Sequence, residues 1–128
     1  MRELRTYDYA IVRVVPRVER GEFINAGIII SCDVARILKA RIELDENALL
    51  ALDSSVDLVV VREALATIPL ICAGGASAGP IGNLTERERF HWLVSPKSTI
   101  VQTSPVHTGQ CDDPDAALEH LMKRMIRR

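Results

Sequence analysis

Between Phe90 and Pro114 the chain reads FHWLVSPKSTIVQTSPVHTGQCDDP, and residue types able to do chemistry crowd together there: Lys97, Ser104, His107, Thr108, Cys111, Asp112 and Asp113. Nucleophilic catalysis needs a hydroxyl or thiol beside a base, with a further group orienting that base. Ser104 or Cys111 could attack, His107 could take the proton, and the aspartates could hold the imidazole. Cys111 follows His107 by four residues, a spacing that matches no familiar zinc pattern. An aspartate directly before Pro114 is also what a helix cap looks like. No metal and no cofactor is therefore expected, and the catalytic candidates are His107 and Ser104.

Recognition of an anion is the second chemistry on offer. Arg13 projects from an apolar run, Arg17 and Arg20 follow its end, and Lys97 and Thr108 could supply further donors to a carboxylate or phosphate. Arg13, Glu22, Lys97 and Thr108 are the ligand-binding candidates. The architectural alternative is that Arg13 pairs with Glu22 while the hydroxyls satisfy turns and strand edges. The segment AGGASAGPIG, Ala73 to Gly82, has the glycines of a phosphate cradle but no lysine at the required place. It reads as a structural loop.

The elements that must carry these side chains begin with YDYAIVRVV, Tyr7 to Val15, rich in β-branched and aromatic residues and apolar apart from Asp8 and Arg13. That predicts a central strand, ended by Pro16. Ile28 to Ile30 predict a second strand closing at Ser31, and Arg36 to Leu44 a third with one wet face, together an antiparallel meander. The period then changes. Asp45 is placed to cap a helix over 47–52, and Ser54 or Ser55 a second from Val56 to about Thr67, ended or kinked by Pro69. Thr85 with Glu88 forms a capping box before ERERFHWLV. A further strand is expected over Ser98 to Gln102, and Asp113–Pro114 opens a last helix with Ala117, Leu118, Leu121, Met122 and Met125 on one stripe. Strands first and helices later predict an α+β domain over residues 1–128. Its antiparallel sheet would hold the meander plus one later strand, with helices packed on one face.

Composition bounds the partners. The chain has 128 residues with a formal net charge of −1, so no global field draws it to nucleic acid or anionic membranes. Aromatics make up only 4%, which argues further against base stacking. Ala64 to Thr85 carries no charge, but its six glycines and prolines deny it a membrane span. Three well-separated cysteines and an N-terminus without an apolar core suggest a reducing compartment and no export, hence the cytoplasm.

Three blocks, YDYAIVRVVPRVERGEFINAGIII, CAGGASAGPIG and RFHWLVSPKSTIVQTSPVHTG, resemble a bacterial family of unknown function, the one numbered 3037. The resemblance runs from about Tyr7 to the last helix. Its pattern falls on Arg13, Pro16, Glu22, Phe23, Asn25 and Gly27, then on Gly79, Pro80 and Gly82, then on Ser104, Pro105, His107, Thr108 and Gly109. It implies small intracellular bacterial proteins and partnership with a HipA-like kinase, and it assigns no catalytic role. The expectation is an accessory or protein-binding module, with a protein partner or a homodimer. The alternative is a small hydrolase or transferase acting on an anionic substrate through His107 and Arg13.

Overall fold

Alternation along β1 (Arg5–Val14) sends Ala10, Val12 and Val14 to one side of the sheet and Tyr7, Tyr9 and Ile11 to the other. This computed structural model describes residues 3–97 and 99–127. β2 (Ile24–Cys32) pairs antiparallel with β1 and is buried almost throughout, because both of its faces are covered. Val12 lies opposite Gly27 and Arg13 opposite Asn25, so Ala26 is the extra residue of a β-bulge. β3 (Ile37–Ile42) completes the meander.

On the other flank of β1 lie β4 (Val101–Thr103) and β5 (His107–Cys111), both antiparallel to it. The one later strand expected from sequence is thus two, laid end to end along β1 and interrupted at Pro105. Ser98 lies outside the described residues. The sequence HTGQC has too few apolar residues to read as a strand, but pairing with a central strand supplies the hydrogen bonds that propensity does not.

α1 (Glu46–Leu52) is capped by Asp45, α3 (Glu86–Val94) by the full Thr85–Glu88 box, and α4 (Pro114–Met125) by Asp113, as expected. α2 (Leu58–Ala73) differs: Asp57, not Ser54 or Ser55, accepts from the N–H groups of Val59 and Val60. It also runs through Pro69, since Ile68, Ile71 and Cys72 are buried and their packing outweighs one lost backbone bond. A 3-10 segment, Ala76–Asn83, occupies the glycine-rich loop, which closes with the Gly75 N–H on the Gly82 carbonyl at 3.1 Å.

The class is α+β on an antiparallel sheet, as predicted, but the helices do not share one face. α1, α2 and α3 cover Val12, Val14, Ile29 and Leu38, while α4 lies on the opposite side against Ile28 and Ile30. The physical reason is that β2 is apolar on both faces, so a one-sided layer would leave Ile28 and Ile30 in water. Among the described residues no single helix is long and apolar enough to cross a membrane.

Candidate functional site

Ser104 is 2% exposed, and its hydroxyl is fully employed: Oγ accepts from the Ile11 N–H at 2.8 Å and donates to the Pro105 carbonyl at 2.9 Å. The residue continues the β1 ladder where Pro105 breaks the neighbouring strand. Among the described residues no base hydrogen-bonds to it. His107 opens β5 opposite Tyr9, with ring centroids 5.3 Å apart, and is exposed. Cys111 stands four positions further along the same strand, roughly 13 Å away at strand rise, so thiol and imidazole do not meet. Burial, reinforced by Cys32, Asp112 and Asp113, pushes the Cys111 thiol up, the opposite of what an attacking thiolate requires. Among the described residues no cluster of three metal-ligating side chains occurs.

Thr108 points to the other side of β5, donating to Asp8 Oδ1 at 2.7 Å. Asp8 also accepts from Arg87 of α3 at 2.7 Å, and Arg87 reaches Ser31 Oγ at 3.3 Å and Asp33 at 3.8 Å. Burial pushes the Asp8 carboxyl up, yet the Thr108 hydroxyl and the Arg87 guanidinium together hold it below the usual carboxylate range. Asp8 takes the Thr108 hydroxyl and an Arg87 N–H together, while Arg87 also reaches Ser31 and Asp33. The cluster is a cross-brace between β1, β2, β5 and α3.

Lys97 is taken up locally. Its ammonium donates to the carbonyls of Trp92, Leu93 and Ser95, closing the C-terminal end of α3, and lies 4.7 Å from the Trp92 ring centroid. Partial burial lowers its pKa. Glu22 accepts from Arg20 Nε at 2.5 Å and lines a hollow of about 460 Å³ with Arg17 and Asp53, themselves an ion pair at 3.5 Å. Arg13 does not pair with Glu22. Its guanidinium lies over the Phe23 ring, 4.2 Å from the centroid, between Asn25 on β2 and Gln102 on β4.

The six candidates therefore do not form one constellation. Arg13 and His107 lie on the same face, but their β1 positions, Arg13 and Tyr9, are four residues apart, about 13 Å of strand. Ser104 is enclosed between them. What sequence reasoning missed is a groove of about 110 Å³ on the other face, lined by Ala64, Thr67, Ile68 and Ile71 of α2, Trp92 and Leu93 of α3, and β4. The missed signal was Trp92, a large apolar side chain left 41% exposed on the outer side of α3.

The chain belongs to the family described as a protein of unknown function (DUF3037), whose model matches residues 9–126. No curated protein and no solved structure matches it.

Proposed function

We propose that this DUF3037 member is an accessory module of a bacterial cytoplasm that binds an extended segment of another protein along β4. One observation carries the reading: an apolar groove runs directly beside the sheet edge. β4 ends the strand order β3-β2-β1-β4, so one side of it is open. Gln102 pairs with Arg13 on β1, and Ser104 and Ile100 also bond back to β1. By alternation, Val101 and Thr103 turn their backbone groups outward. The Thr99 hydroxyl covers the Val101 carbonyl at 2.7 Å, leaving Thr103 to pair. An added strand would gain main-chain hydrogen bonds at this edge and set a side chain into the groove behind it, the usual division between affinity and selectivity in strand addition.

The opposite edge is guarded. Lys39 and Arg41 of β3 are held by Asp115 and Glu119 of α4, and charged side chains discourage pairing there. β4 carries no charged side chain. The enzyme alternative lacks comparable support, since Ser104 is consumed by the β1 ladder and His107 stands apart from Arg13.

The test is affinity purification of the tagged protein from its native host at low salt, followed by mass spectrometry of what is retained. A HipA-like kinase, suggested by the family resemblance, is the first partner to look for. A stoichiometric protein should be retained by the wild type and lost about tenfold with Trp92→Ala or Thr67→Arg, both exposed positions, at unchanged melting temperature. Retention indifferent to both substitutions would move the interface off the groove. Recovery of this chain alone, as a dimer, would replace the partner with a second copy.

A further inference from the structure

The groove behind β4 is uncharged with a single exception. Its lining residues from α2, α3 and β4 carry no charge, and Lys97 is the one that does. An ammonium has three donors, and Lys97 gives them to the carbonyls of Trp92, Leu93 and Ser95 at 2.8, 3.3 and 3.3 Å. Among the described residues no carboxylate acts on it: burial lowers its pKa and no acid works in the other direction.

Two features make a carboxylate the fitting counterpart. Carbonyl dipoles occupy the donors without supplying the opposite charge, so a half-buried cation keeps part of its desolvation cost. The two contacts at 3.3 Å are also longer than the about 2.7–2.9 Å of a charge-assisted bond, so an arriving carboxylate displaces a weak contact rather than a strong one. An apolar cleft with one positive charge beside it fits an apolar side chain that has a carboxylate next to it.

The shortness of the edge decides where in the partner that carboxylate sits. The Thr99 hydroxyl occupies the Val101 carbonyl at 2.7 Å, and β4 stops at Thr103, which is left to pair. An internal segment running past the edge gains little from so short a ladder. A chain end needs no more, and its α-carboxylate belongs to the same residue as its last side chain. Resting on the strand-addition reading, we infer that the segment bound along β4 is the free C-terminus of a partner chain, its last apolar side chain in the groove and its α-carboxylate on Lys97. Strand addition and capture of a terminal carboxylate are both established ways of recognising a peptide.

The experiment titrates the intact protein with acetylated tripeptides ending in leucine, valine or phenylalanine, each as the free acid and as the C-terminal amide. Trp92 is the single tryptophan of the chain and its ring centroid lies 4.7 Å from Lys97 Nζ, so its indole N–H reports on the groove in proton–nitrogen spectra. At least one free acid should shift that signal saturably, with the matching amide about tenfold weaker, the worth of one hydrogen bond to a charged group. Lys97→Met should reduce the acid to the affinity of the amide. Should Lys97→Met fail to fold, Lys97→Gln keeps donors for the helix carbonyls without the charge and should do the same. Equal binding of acid and amide, or a preference for the acid that survives loss of the Lys97 charge, would overturn the C-terminal assignment and leave strand addition standing. So would a tripeptide amide with an aspartate before its last residue that binds as tightly as the free acid, since the carboxylate would then come from a side chain. No shift with any of the peptides would remove strand addition in the groove, and the C-terminal assignment with it.

Discussion

At the scale of single residues, a polar side chain in this protein is best understood by asking which backbone group needs it. Ser104 stands where Pro105 interrupts pairing, and its hydroxyl accepts from the Ile11 N–H in the absence of a strand carbonyl. Ser104→Ala should therefore cost about 1–3 kcal/mol, the penalty for orphaning a buried donor. Urea unfolding would measure it, and a neutral result would mean that water reaches Ile11. Lys97 answers a similar need at the end of α3. Cys72 is a plain core residue, its thiol pushed up to about 12 by burial despite Arg89 nearby. Among the described residues Arg13 serves no backbone group; its guanidinium lies over the Phe23 ring.

Between elements, close approach decides more than propensity. β2 and β3 come together at Gly27, where a Cβ would stand 2.5 Å from the Arg41 carbonyl oxygen and 2.7 Å from Ile42 Cδ1. Backbone cannot yield as a side-chain tip can. Gly27→Ala should destabilise the protein by about 1–3 kcal/mol with an unchanged urea m-value, because the meander must widen while the surface exposed on unfolding stays the same. The sheet's two flanks then divide labour. Lys39 and Arg41 fasten β3 to α4, whereas β4 and β5 stay open on their outer side.

Across the whole molecule, the Asp8–Arg87–Thr108 brace joins both flanks of the sheet to α3, and it ties stability to pH. The Asp8 carboxyl is held below its ordinary value, so its contribution is present above the unfolded carboxylate pKa of about 3.9 and disappears as pH falls through the lower folded value. Asp8→Asn should be less stable than wild type by about 1–2 kcal/mol at pH 7, and the gap should close as the pH is taken below about 4. Thermal melts of both proteins across that range would show it. A gap that stayed constant would place the effect in packing rather than charge.

Much of this was legible beforehand, and for local reasons. Caps are set by a side chain and an N–H two or three residues away, so Asp45, Thr85 with Glu88, and Asp113 announced their helices. The meander was visible in β-branched runs, and Asp8 and Arg13 stood out as the only charges inside the first of them. Long-range placement was not legible. That HTGQC is a strand depends on β1 lying beside it; that helices cover both faces depends on Ile28 and Ile30 finding α4 some 90 residues later. The crowding of Ser104, His107, Thr108 and Cys111 in sequence suggested a single site. In a strand neighbouring side chains point to opposite faces, so the tertiary structure sent Thr108 to Asp8, His107 to Tyr9 and Ser104 into the ladder. The residue types present are a property of the chain. Which of them face one another follows from the pairing of the sheet, and that pairing left Arg13 beside Asn25 and opened a groove behind β4.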